Sequence, residues 1–291
     1  MAAEAKRLAR NAAGDFYVDS TCIDCGACCW IAPETFAPAG NASVVQRQPK
    51  DARETLRAEM ALVACPVAAI GTRARHDLKP ARAAFPEPVE GEVHYCGYHA
   101  AASYGASSYL IVRPQGNILV DSPRYATALV ERIAALGGVN TMFLTHRDDV
   151  ADHRKFHARF GCERVLHRRD VTRATEEVER KLEGDTPIAL DDEVLFVPTP
   201  GHTAGSTSLL YRGRFLFSGD HLWWDSALGA IDAEEGVCWY DWDLQRRSIA
   251  RLAQYRFDWL LPGHGERRHL PQAEMAAELA RTVARLGAVD A

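Results

Sequence analysis

Residues 146–153, HRDDVADH, place two histidines and three aspartates in eight positions, directly behind the apolar run TMFLT (141–145). Three further apolar runs end in the same way. EVLFVPTPG leads into His202, RFLFSG into Asp220 and DWLLPG into His264. Imidazole nitrogens and carboxylate oxygens are the donors that hold zinc, iron or manganese. A lone histidine after a strand is ordinarily a hydrogen-bonded loop residue. Four ligand-type endings predict instead that strands of a layered α/β fold deliver these side chains to one rim, where a divalent ion binds. Such an ion lowers the pKa of water from ~15.7 to ~7 and so supplies hydroxide at neutral pH, able to attack an ester, thioester or phosphoester.

A second group lies near the amino terminus. CIDCGACCW (22–30) spaces Cys22, Cys25 and Cys28 as C-x2-C-x2-C, and Cys65 is followed by Pro66 in ACPVAAI. Three closely spaced thiolates and a remote Cys-Pro suit the corners of a cubic iron–sulfur cluster, with Gly26 and Ala27 small enough to aim amides at sulfur. A zinc knuckle would also satisfy four thiolates, but the spacing favours the cluster. Residues 15–71 resemble bacterial-type ferredoxins in spacing and in the CPxxAI tail. The resemblance implies a [4Fe-4S] cluster on Cys22, Cys25, Cys28 and Cys65. Where that family carries a cysteine for a second cluster, this chain has Ala32, so one cluster is expected, with Cys29 a packed neighbour. A domain this small also gains a staple from a cluster, so electron transfer and a purely structural role both fit.

The later motifs, THxxxxxDH, PTPGHTAGS, FSGD and LPGHG in that order, resemble the metallo-β-lactamase superfamily, closest to its hydroxyacylglutathione hydrolase branch, over residues 93–268. The resemblance implies an αββα sandwich with a metal pair at the rim between two sheets. It assigns His146 and His202 to the first metal, Asp152, His153 and His264 to the second, and Asp220 to the bridge. Asp121 takes the place of an early buried aspartate that supports the site, and Asp152 would orient the nucleophile and shuttle its proton. One departure matters. The family pattern is H-x-H-x-D-H, and here its second histidine is Asp148, with two residues inserted before Asp152-His153. Asp149, four residues before His153 on a helix starting there, is an alternative partner. Oxygen in place of nitrogen at Asp148 makes the site harder, favouring iron or manganese over zinc, and one or two metals are expected.

Past Asp220, HLWWDSALG and CWYDWD gather four of the chain's six tryptophans within residues 223–242. Core packing is one reading. The other is an aromatic wall for an apolar or planar substrate, with Trp223, Trp224 and His221 lining it. His99 and Tyr104 are placed to approach the rim.

These residues need elements to position them. YLIV (109–112) and NILVD (117–121) around the turn RPQG predict a hairpin. A helix is expected over 123–136 from Pro123, burying Leu129, Ile133 and Leu136 and stopping at Gly137-Gly138. Strands are expected at 141–145, 164–167, 193–197, 206–211, 214–218 and 258–261. A last helix from Pro271 should bury Met275, Leu279, Val283 and Leu286. Residues 72–92, with three prolines and eight charges, read as a linker. The expected organisation is therefore a small α+β ferredoxin-like domain (1–71), the linker, and a metallo-β-lactamase-like domain (93–291).

The chain has 291 residues, 47% hydrophobic and 25% charged, with net charge −5. That composition predicts a soluble core-forming protein without a nucleic-acid footprint, and no apolar run reaches the ~18–20 residues that span a bilayer. Thiol clusters and the lack of an apolar leader point to the cytoplasm. Three functions fit: a metal-dependent hydrolase of an ester- or thioester-like small molecule, an oxidoreductase whose non-haem iron is served by the cluster and a redox partner protein, and an iron–sulfur sensor without catalysis. Flavodiiron proteins and sulfur dioxygenases of the superfamily set the precedent for the second.

Overall fold

Asp51 opens the helix Ala52–Ala64 by accepting the Glu54 N–H at 2.9 Å, which satisfies one of the orphan donors of the first turn. The buried face carries Ala58, Ala61 and Ala64, small enough for the short helix Ala27–Ile31 to pack close, and Cys65-Pro66 ends it. This computed structural model describes residues 2–287. The chain forms two compact units, one running to Thr141 with Ala151–Cys162 added, the other comprising Met142–Val150 and the chain from Glu163 on.

In the first unit, strand Phe16–Val18 pairs antiparallel with Ile70–Thr72, and Phe36–Pro38 with Ser43–Val45. An antiparallel run follows: Glu87–Glu90, Val93–Tyr95, Tyr109–Ile111 and Ile118–Val120. The last two form the expected hairpin, with Tyr109 opposite Val120. Residues 72–92 are not the loose linker expected. They hold the helix Lys79–Ala83 and the edge strand Glu87–Glu90, with Ala81 and Phe85 fully buried. Their charges are paired, Glu87 with Arg57 and His76 with Asp15 and Glu59, so the segment is stitched down by partners distant in sequence.

The helix expected from Pro123 begins four residues later, as Thr127–Ala135. Residues ahead of it are pulled out of helical geometry, because Arg124 N–H bonds to Tyr98 O and Tyr125 N–H to Asp152 Oδ2. Leu129 and Ile133 are buried, whereas Leu136 caps the helix and is exposed.

The second unit is built on a six-stranded sheet in the order Ile188–Ala189, Val194–Pro198, Thr207–Tyr211, Phe215–Gly219, Trp259–Pro262, Arg268–His269. All neighbours are antiparallel except Phe215–Gly219 with Trp259–Pro262. Thr207–Tyr211 and Phe215–Gly219 are buried at every residue, which is why their sequences run apolar without alternating. Helices Trp242–Leu252 and Gln272–Arg285 contribute Ile249, Leu252, Met275 and Leu279 to a core with Leu216, Leu260 and Trp224. Phe143 stacks on Phe196 at 4.7 Å between centroids, and Glu163–His167 pairs parallel with Arg180–Leu182.

Candidate metal centre

Strands Val194–Pro198 and Phe215–Gly219 both run antiparallel to Thr207–Tyr211, and Trp259–Pro262 runs parallel to Phe215–Gly219. Their carboxyl ends therefore leave the sheet at one edge, carrying His202, Asp220 and His264, and His146 joins them from the turn after Thr141–Phe143. Asp220 is the hub. Its Oδ2 lies 2.9 Å from His264 Nδ1, 3.6 Å from His146 Nε2 and 3.7 Å from His202 Nε2. Asp148 Oδ2 lies 3.9 Å from both His146 Nε2 and His202 Nε2. Two donor sets converge, His146 with Asp148 and His202, and His146 with Asp149 and Asp220, each within 4.8 Å. Donors about 2.0–2.2 Å from one ion sit roughly 3–4 Å from one another, so these spacings suit metal coordination.

Local chemistry explains the convergence. A Cβ on Gly263 would fall 2.5 Å from Asp220 Oδ1 and 2.8 Å from Asp149 Oδ2, so only a hydrogen there lets the two carboxylates close in. Gly219 has φ +55°, and a Cβ on it would meet Thr145 Oγ1 at 2.6 Å. That hydroxyl lies 3.0 Å from His146 Nδ1 and fixes the ring so that Nε2 faces Asp220. The donors fit a divalent cation. Among the described residues, both ring nitrogens of buried His202, and Asp220 Oδ1, have no hydrogen-bond partner, which leaves them open to a bound ion.

Burial alone would raise the Asp220 carboxyl, but His264 and His146 hold it well below the usual range. Burial opposes the charge on His264, yet Asp220 lifts it to about 9. His202 falls to about 4, through burial and then the neighbouring His146, so its imidazole is neutral and able to donate a lone pair.

Asp149 faces this cluster. Asp149 is buried beside Gly263 and acts on His264. Asp152 accepts the Tyr125 N–H at 2.8 Å and pairs with Lys155 at 2.8 Å within the first unit. His153 is buried and opens the helix His153–Phe160, and Asp121 is buried with φ +58°. Asp148 is half exposed at the open side.

The aromatic expectation changes as well. Trp224 lies in the core, its ring covered by the Arg268 guanidinium at 4.1 Å, and so does not line a substrate wall. Trp223 packs on Gly265, beside His264. Trp239, 62% exposed, approaches His202 edge-on at 6.3 Å, and its backbone N–H bonds to His202 O. His221 is buried, with neither ring nitrogen hydrogen-bonded among the described residues, and burial drives its pKa to about 3. His99 is fully buried in the first unit, bonded to Tyr95 Oη and Ala106 O.

In the first unit, Cys22, Cys25, Cys28 and Cys65 line one hollow with Ala27 and Ile70. Gly26 takes φ +72° ahead of the helix Ala27–Ile31. Ser43 N–H points at Cys22 Sγ (3.4 Å), Ala69 N–H at Cys65 Sγ (3.3 Å), and Ala27 N–H bonds to the Cys25 sulfur. Amides aimed at sulfur stabilise thiolates bound to iron. Burial otherwise pushes Cys25 up to about 12, so the thiolates need cations beside them. Cys29 faces Ser43 Oγ at 3.5 Å and lies outside the hollow.

Residues 18–72 match the family described as the 4Fe-4S single cluster domain of Ferredoxin I. The amino-terminal part thus matches a ferredoxin domain of the kind that holds a single 4Fe-4S cluster. Over 128 residues the chain is 34% identical to hydroxyacylglutathione hydrolase of Anaeromyxobacter dehalogenans (strain 2CP-C), covering 42% of this chain. It spans about half, 48%, of that curated relative's length. The DIM-1 metallo-β-lactamase superposes with a TM-score of 0.51 at 16% identity, covering 69% of this chain and 95% of that one. The fold is that of the metallo-β-lactamases. ETHE1 from Myxococcus xanthus is also similar, at 18% identity and a TM-score of 0.48, over 66% of this chain and 84% of that chain. Among the described residues, no helix is long and apolar enough to cross a membrane.

Proposed function

We propose that the chain is a metal-dependent hydrolase acting on an ester- or thioester-like small molecule. The observation that carries this reading is the meeting of His146, His202 and His264 on one carboxylate, Asp220, with Asp148 and Asp149 completing two donor sets. The relative at 34% identity is by its name a hydroxyacylglutathione hydrolase, which supports an acyl bond as the one attacked. A divalent ion bound here would activate water and take up charge on the oxygen under attack. The chain's own residues do the rest. His146 and His202 would hold an ion on the open side with Asp148, His146 is shared with the second donor set of Asp149 and Asp220, and Asp149 would orient the nucleophile and accept its proton. Trp239 offers an exposed ring beside His202 for a flat or apolar acyl group.

A second reading, an oxidoreductase with non-haem iron, is favoured by one feature: three of the six donors are carboxylates, a hard set that suits iron or manganese. The attached cluster would then exchange electrons with it and with a partner protein. Metal analysis of anaerobically purified full-length protein separates the two, with thioester hydrolysis assayed on oxidised and dithionite-reduced samples. Zinc in the second donor group, with turnover indifferent to cluster oxidation state, supports hydrolysis. Iron there, with no hydrolysis in either state, sinks it.

A further inference from the structure

Asp170 is fully buried, at the end of the turn Arg168–Asp170 that follows strand Glu163–His167. Neither its position nor a sequence motif marks it as a ligand, yet its carboxylate serves both loops that carry His146 and His202. Oδ2 accepts the N–H of Arg147 at 3.1 Å and the hydroxyl of Thr203 at 2.5 Å. Oδ1 accepts the N–H of Gly205 at 2.7 Å. The donors are two backbone amides and a hydroxyl, one adjoining His146, two just past His202. A Cβ on Gly205 would lie 2.8 Å from Asp170 Cγ, so glycine is required for the approach. Ser206 extends the brace, its Oγ 2.7 Å from Thr203 Oγ1 and accepting Thr203 N–H, and Thr207 N–H ties back to Thr145 O at 2.9 Å.

We propose that Asp170 is a positioning residue for the metal centre: it locks the His146 and His202 loops against each other, so that two imidazoles from distant segments are held at ligand spacing before an ion arrives. The inference rests on the metal reading above. Its physical basis is reciprocal. A buried carboxylate is tolerated only while its donors are in place, and the donors here exist only when both loops take the ligand-presenting conformation. Rings held in advance spare the ion the cost of ordering them. Outer residues that orient metal ligands ordinarily change affinity by about 10–100-fold when altered.

The test uses full-length, cluster-loaded protein whose other metal has been removed with a chelator and replaced by titrated cobalt(II). Asp170→Asn keeps the shape but turns an amide NH2 toward a donor. Cobalt affinity should fall about 10–100-fold, with an altered high-spin cobalt resonance and an unchanged cluster signal. Thr203→Val should move both readouts the same way, the double variant should lose less than the sum of the two, and Thr203→Ser should restore the parent behaviour. If Asp170→Asn does not fold, Thr203→Val and Thr203→Ser carry the test alone. Parent-like affinity and resonance in Asp170→Asn and Thr203→Val would overturn the proposal. A parent protein that binds no cobalt would instead overturn the metal reading on which it rests.

Discussion

Gly263 shows how much one hydrogen atom decides. Its backbone is ordinary, but a methyl in its place would overlap Asp220 Oδ1 and Asp149 Oδ2. Gly263→Ala is therefore expected to strip metal from the second unit and leave the cluster intact. Gly229→Ala, at φ +63° with nothing within 4 Å, should retain it despite backbone strain. Elemental analysis of the two variants checks this, and equal metal content would mean that the carboxylates are not ligands. The aspartates make a matching pair. Asp149→Asn should abolish both metal retention and turnover, whereas Asp152→Asn, which only weakens contacts to Tyr125 and Lys155, should keep the metal. The reverse pattern would assign the ligand role to Asp152 instead of Asp149.

At the scale of elements, the stitching of 72–92 depends on pH. His76 sits between Glu59, 2.7 Å from Nδ1, and Asp15, 2.6 Å from Nε2. Burial opposes its charge, but hydrogen bonds to Glu59 and Asp15 raise its pKa above the usual 6.5. Burial likewise opposes Asp15, whose carboxyl the Ala74 N–H and His76 lower below 3.8. The raised histidine stabilises fully below its unfolded value and ceases to as pH rises through the folded one. The lowered aspartate stabilises above its unfolded value and fails as pH falls through the folded one. The clamp is thus strongest between roughly pH 4 and 6.5. His76→Gln should lower the thermal midpoint most in that window, and the gap from the parent should narrow as pH rises toward roughly 8. A gap independent of pH would show that the imidazolium is not what holds the segment.

At the scale of the whole molecule, the chain gathers two groups of potential ligands of opposite chemistry: thiols in an apolar hollow, and imidazoles with carboxylates at a sheet edge. Their affinities should separate. A chelator at neutral pH is expected to remove the divalent metal and abolish turnover while the visible absorbance of the cluster persists. Loss of both together would show one shared stability. The ferredoxin part is no detachable module. Val63 O and Ala64 O, just ahead of Cys65, accept from Arg124 and from His99 N–H. A Cβ on Gly105 would lie 2.6 Å from the Cys25 Cβ. Residues beyond 72 thus close over the cluster domain from behind, so the boundary expected at 71 is a boundary in sequence pattern rather than in packing.

Cysteine spacing, the four apolar runs ending in ligand-type residues, and the hairpin at 109–120 were legible because each follows from local geometry. A strand's length, its turn residues and the donor at its end all lie within about ten positions. The same locality explains what could not be read. HRDDVADH offers three aspartates, and that Asp149 comes within reach of Asp220 depends on the bare flank of Gly263, 114 positions further along the chain. Trp224 and Trp239 look alike in sequence; a guanidinium from residue 268 covers one and leaves the other open beside His202. Asp170 carries no motif, since its part is to accept from two loops that only tertiary packing brings together. Donor chemistry was set by residue type and spacing. Which donors meet was set by side-chain packing over long chain separations, where steric exclusion and the cost of an unpaired buried charge select one arrangement.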